Sequence, residues 1–186
     1  PADSPEVDCR MKRVILLTGG ARSGKSGKAL EIASAYDRKA FIATAEPLDS
    51  EMEARIAAHR RERGEGFTTL EESTDLAGAI ASLPTGTDVA IIDCLTVWLG
   101  NLLYHFQNEE DRLRCIEEFL ESLKSPPCNL VIVTNEVGMG IVPLERSTRE
   151  YRDLAGGLNQ KVAAVSDTVI FMACGLPLLL KGEMDE

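Results

Sequence analysis

The segment Gly19-Gly20-Ala21-Arg22-Ser23-Gly24-Lys25-Ser26 has the spacing G-x-x-x-x-G-K-[ST]. It lies between an apolar run at 14–18 and a helical pattern, the context a phosphate-binding loop requires. Glycines let such a backbone wrap a polyphosphate, and its N–H groups add fixed positive potential at the helix N-terminus. Lys25 is expected to reach the β and γ phosphates, and the Ser26 hydroxyl to ligate Mg²⁺. A second metal ligand is expected at Asp93, which ends the run Val89-Ala90-Ile91-Ile92 and would sit at the carboxyl edge of a buried strand. Capping of the helix that starts at Leu95 is the competing role for that aspartate.

Two further segments carry chemistry. Residues 55–63 hold four arginines and one glutamate, a local charge of +3 in an acidic chain. Helical spacing sets Met52, Ile56, His59 and Arg63 on one side, so His59 extends an apolar stripe into its polar end. A histidine flanked by arginines suits a nucleophile or acid–base group near bound phosphate, although a solvated surface helix has the same pattern. In Thr134-Asn135-Glu136-Val137-Gly138-Met139-Gly140, a strand end leads into a glycine-containing loop. Glu136 is a candidate for orienting a hydroxyl or water, and Gly138 and Gly140 for close approach to a ligand. Ordinary turn chemistry is the alternative.

These groups need elements to hold them. Short apolar runs at 14–18, 40–45, 89–93, 130–134 and 168–173 read as strands buried on both faces of a parallel sheet. Helical patterns fall at 24–36, 49–63, after the cap signal Ser73-Thr74-Asp75, and at 95–106, 109–124 and 145–165. In the last of these, Leu144, Thr148, Tyr151, Ala155, Leu158, Val162 and Val165 form one packing stripe. A segment at 178–181 closes the chain. The alternation predicts an α/β three-layer fold with a mainly parallel sheet.

The whole chain sets outer limits. Its 186 residues suit a single domain over 11–186, with 1–10 read as a polar, disordered leader. Twenty Lys and Arg against 30 Asp and Glu give a net charge of −10, which argues against nucleic acid or an anionic membrane as partner. The longest apolar stretch, 169–180, is broken by Gly175 and Pro177 and is too short to span a bilayer. Five widely spaced cysteines without a C-x-x-C pair read as reduced thiols, consistent with a cytoplasmic location.

Taken together, TGGARSGKS (18–26), FIATAEPLDSEMEARIAAHRRER (41–63), DCLTVWLGNLL (93–103), TNEVGMGIVP (134–143) and YRDLAGGLNQKVA (151–163) resemble the bifunctional adenosylcobinamide kinase/adenosylcobinamide-phosphate guanylyltransferase family of cobalamin biosynthesis. The likeness runs over about 11–181. It implies a RecA-like P-loop fold and a homotrimer. It also implies two reactions: phosphorylation of adenosylcobinamide from ATP or GTP, then transfer of GMP from GTP to the new phosphate through a GMP-histidine intermediate. The matching R-I-x-x-H pattern assigns the nucleophile to His59; some members have two adjacent histidines where this chain has Ala58-His59. Guanine-nucleotide contacts are implied from the P-loop (Gly19 to Ser26), Ala43, Thr44, Ala45, Arg60, Arg61, Glu62, Arg63, Glu71 or Glu72, and Asp93. The rival readings are a P-loop small-molecule kinase without guanylyl transfer and a nucleotide-dependent switch or ATPase subunit.

Overall fold

A computed structural model describes residues 12–183, so the leader expected at 1–10 lies outside the described residues. In chain order the elements are β1 (Val14–Gly19), α1 (Lys25–Ala33), β2 (Lys39–Ala43), α2 (Ser50–Arg63), β3 (Phe67–Glu71), α3 (Leu76–Ala81), β4 (Val89–Asp93), α4 (Leu95–His105), α5 (Glu109–Ser122), β5 (Asn129–Val133), α6 (Arg146–Val165), β6 (Thr168–Ala173) and β7 (Leu176–Lys181). One seven-stranded sheet has the order β3-β2-β4-β5-β1-β6-β7. Its pairings are parallel except that of β6 with β7.

Side chains alternate across a strand, so each buried strand feeds two cores. Leu16, Ile42, Ala90, Ile92, Leu130 and Ile132 face one side, packed against α3, α4, α5 and α6. Leu17, Phe41, Val89, Ile91, Val131 and Val133 face the other, packed against Ala29 and Ala33 of α1. The neighbours Ile91 and Ile92 are both 0% exposed, on opposite faces. Burial of each contributes about 1.5–3 kcal/mol. This explains why the strands read as unbroken apolar runs, and it confirms the three-layer α/β expectation.

Trp98 is the largest of the fully buried side chains. Its ring lies 5.1 Å from Phe119, and its Nε1–H donates to the Thr74 carbonyl at 2.8 Å, tying α4 to the loop that starts α3. Trp98→Ala should destabilise the fold by about 3–5 kcal/mol, measured by chemical denaturation, through the cavity and the orphaned carbonyl together.

Two sequence expectations need correction. β3 is a strand that periodicity misses: its Thr68, Thr69 and Glu71 are exposed, because β3 is an edge strand paired on one side only, with β2. The stripe of α6 begins at Tyr151 rather than Leu144. Leu144 precedes the helix and is 96% exposed, and Thr148 in the first turn is exposed as well.

Candidate active site

Strand register brings the chemistry to one level. Glu71, Ala43, Asp93, Val133 and Leu17 are successive partners across β3, β2, β4, β5 and β1, so they form a single row near the carboxyl edge. The P-loop leaves β1 two residues beyond that row. Its form depends on the β6–β7 turn. Gly19 has φ 143°, and a Cβ there would collide with the Met172 carbonyl; Gly24 has φ 98°, and a Cβ there would lie 3.2 Å from Gly175 Cα. Gly175 N–H also donates to the Ser23 carbonyl at 3.0 Å. These two glycines therefore serve packing under the loop as well as backbone conformation.

Above this edge lies a cavity of about 480 Å³. The P-loop contributes Ala21, Lys25 and Ser26; β4 and its exit contribute Asp93 and Cys94; Asn135 follows β5. Lys25 Nζ donates to the Gly20 carbonyl at 2.6 Å and lies 3.3 Å from Ser23 Oγ. Burial lowers its pKa, opposed by the Cys94 and Asp93 charges. Ser26 Oγ donates to Asp93 Oδ2 at 2.8 Å. Burial raises the Asp93 pKa, against the Ser26 hydrogen bond and the electrostatic influence of His59 and Lys25. The Cys94 thiol is pushed up to about 11, chiefly by burial, so it stays protonated and is no nucleophile at neutral pH.

The facing wall is α2. Asp49 caps it, accepting from Met52 N–H at 2.7 Å, with Glu51 and Glu53 in the first turn and Arg60, Arg61 and Arg63 in the last. That arrangement complements the helix dipole. Met52, Ile56, His59 and Arg63 all line the cavity, so the stripe read from the sequence faces the P-loop rather than bulk solvent alone. Arg63 stacks on Phe41 with its guanidinium carbon 4.4 Å from the ring centroid. Burial and the like charge of Arg60 lower the Arg63 pKa, a positive environment that a polyphosphate would relieve. Arg60 pairs with Glu71, joining the end of α2 to β3.

Of the residues expected to contact nucleotide, Ala43, Ala45, Arg60, Arg63, Glu71 and Asp93 line the cavity. Of the pair Glu71 or Glu72, only Glu71 does; Glu72 accepts the Thr74 and Asp75 N–H groups at 2.8 Å each and caps its own turn. Thr44 is 0% exposed and does not reach the cavity. Its hydroxyl accepts from Cys94 N–H at 2.8 Å and donates to Cys94 O at 3.0 Å, so it positions the residue after Asp93. Arg61 and Glu62 are exposed and outside the lining; Glu62 lies 4.0 Å from His59 Nδ1. The Gly138–Gly140 loop is exposed and lines nothing here, and Glu136 accepts its own loop's Gly138 N–H at 2.9 Å. Phe41 and Asn135 also line the cavity; the sequence segments at 41–63 and 134–143 contain them, but sequence reasoning gave neither a role.

The family model described as cobinamide kinase / cobinamide phosphate guanyltransferase matches residues 15–180. The chain belongs to this family. Among curated relatives of the cobinamide kinase/guanyltransferase family, the bifunctional adenosylcobalamin biosynthesis protein CobP of Pseudomonas aeruginosa is 42% identical over 170 residues, covering 90% of this chain and 97% of that protein. The corresponding CobU protein of Escherichia coli K12 is 36% identical over 180 residues, covering 90% and 99%. Solved structures are similar in fold alone. A Pyrococcus horikoshii OT3 protein has a TM-score of 0.56 at 10% identity, over 95% of this chain and 89% of its own. The type III secretion ATPase EscN of enteropathogenic E. coli has a TM-score of 0.54 at 10% identity, over 88% and 43%. Family membership favours the bifunctional reading over a plain kinase or a switch subunit. Among the described residues no helix is long and apolar enough to cross a membrane.

Proposed function

We propose that this chain phosphorylates adenosylcobinamide from ATP or GTP and then transfers GMP from GTP to adenosylcobinamide phosphate, using one nucleotide site for both steps. The observation that carries the reading is a single cavity shared by the P-loop groups Lys25 and Ser26, the carboxylate Asp93 and the histidine His59. Lys25 and the loop amides stabilise charge on the β and γ phosphates. In the second reaction an imidazole nitrogen of His59 bonds to the α-phosphorus, the bond to the β-phosphate oxygen breaks, and pyrophosphate leaves. An oxygen of adenosylcobinamide phosphate then displaces His59 to give adenosylcobinamide-GDP.

Ser26 Oγ and Asp93 Oδ2 are hard oxygen donors 2.8 Å apart beside the P-loop, a pair that fits Mg²⁺. Among the described residues no group of three or more His, Cys, Asp or Glu is placed to hold a metal ion, consistent with an ion bound through substrate phosphates plus one or two protein oxygens. Bound Mg²⁺ would neutralise phosphate charge. Because burial raises the Asp93 pKa, the carboxyl ionises more readily in the unfolded chain. Ionisation therefore costs stability once pH rises above the ordinary aspartate value. Asp93→Asn should accordingly melt higher than the parent at pH 7, with the gain vanishing toward pH 3, while losing the Mg²⁺-dependent increase in nucleotide affinity. A lower melting point at pH 7, or intact Mg²⁺ dependence, would contradict this role.

The resemblance also supports a homotrimer, the unpaired cysteine pattern a cytoplasmic location, and the length of 186 residues a single transferase domain over 11–186. The decisive experiment mixes the protein with α-labelled GTP. An acid-labile guanylated protein, together with GTP-dependent phosphorylation of cobinamide, is the expected result, and absence of both would refute the proposal.

A further inference from the structure

The topology puts β5 between β1, which delivers the P-loop, and β4, which delivers Asp93. Asn135 stands two residues beyond Val133, the β5 member of the row that also holds Leu17 and Asp93. Asn135 lines the cavity together with Lys25, Ser26 and Asp93.

A half-buried polar network fixes its backbone. Asn135 N–H donates to Thr96 Oγ1 at 2.7 Å, and Asn135 O accepts from Asn159 Nδ2 at 3.2 Å. Asn159 Oδ1 accepts from the Thr134 hydroxyl at 2.8 Å, and the Tyr151 hydroxyl donates to Thr96 O at 2.7 Å. The next residue locks onto the P-loop itself, Glu136 N–H donating to the Gly19 carbonyl at 3.0 Å. Two helices, α4 and α6, together with Thr134 just past β5, thus commit polar side chains to holding this segment. The Asn135 side-chain amide makes no hydrogen bond among the described residues. A preorganised backbone carrying an unpartnered neutral donor into a phosphate site suits a charge that develops during reaction.

We infer that the Asn135 amide donates a hydrogen bond to the γ-phosphate of the bound triphosphate and stabilises that group during phosphoryl transfer. The inference rests on the kinase half of the proposed function. In that step the acceptor hydroxyl oxygen bonds to the γ-phosphorus, the bond to the β–γ bridging oxygen breaks, and the diphosphate leaves with the electron pair as the hydroxyl proton passes to solvent. In guanylyl transfer the bond breaks at the α-phosphorus and the γ-phosphate departs within pyrophosphate. Asn135 then sits far from the reacting atom and contributes much less.

The test uses Asn135→Ala and the near-isosteric Asn135→Asp in the full chain. Asn135→Ala should lower kcat for cobinamide phosphorylation by on the order of 10²–10³, with the nucleotide KM and the melting temperature nearly unchanged. Guanylate labelling from α-labelled GTP should fall by less than about tenfold, since only a leaving-group contact is lost. Asn135→Asp should weaken binding of a non-hydrolysable GTP analogue by at least ~10-fold through like-charge repulsion, while GDP binding holds. Equal losses in both half-reactions, or unchanged discrimination between the analogue and GDP, would overturn the inference. A parent chain that discriminates through Asn135 yet leaves cobinamide unphosphorylated would refute the kinase reading and uphold the γ-phosphate contact.

Discussion

His59→Ala should abolish guanylate labelling of the protein, a loss of the order of 10⁶, the scale seen when a covalent nucleophile is removed. Phosphorylation of cobinamide should survive within about tenfold, because phosphoryl transfer needs positioning and charge stabilisation and no covalent intermediate. Fold stability should hold, since the ring is 57% exposed and its nearest charged partner, Glu62, is equally open to solvent. The check is parallel assay of the two half-reactions with α-labelled and γ-labelled GTP. Equal loss of both in a folded variant would show that His59 serves nucleotide binding in general and not the second reaction alone.

Lys25→Ala should impair both reactions, each by on the order of 10²–10³-fold, or about 2.7–4 kcal/mol, as one preorganised donor to the transferring or leaving phosphates is lost. The variant should be at least as stable as the parent by thermal melting. Lys25 is 6% exposed, and burial lowers its pKa, so the folded protein holds this charge at a cost that alanine removes. The pattern separates the residue from structural ones: activity falls while the melting point does not. A lysine needed only for folding would lower both together.

How much of this was legible in the sequence follows from how local each signal is. The P-loop is contiguous, and Asp93 closes an apolar run, so both stand out without knowledge of the fold. The face of α2 that carries His59 follows from helical spacing alone. β3 does not announce itself, because an edge strand keeps polar residues where a central one is apolar. Thr44 was legible as a residue near the site but not as a clamp on Cys94, 50 positions away, since that contact exists only once β2 and β4 are neighbours. The choice between Glu71 and Glu72 likewise needed the register of β3 on β2. Asn135 is held by Thr96 of α4 and Asn159 of α6, 39 and 24 positions away, which no motif joins to it.

The shared row of Glu71, Ala43, Asp93, Val133 and Leu17 has a consequence for how this chain tolerates change in length. Deleting one residue inside β4 would exchange its two faces, sending Ile91 toward the helices that Ile92 now meets, and would also withdraw Asp93 from the level of Ser26. Folding and chemistry are therefore keyed to the same alignment. Insertions belong at the opposite rim, in connections such as 82–88 and 123–128, which enter β4 and β5 from the end remote from the nucleotide.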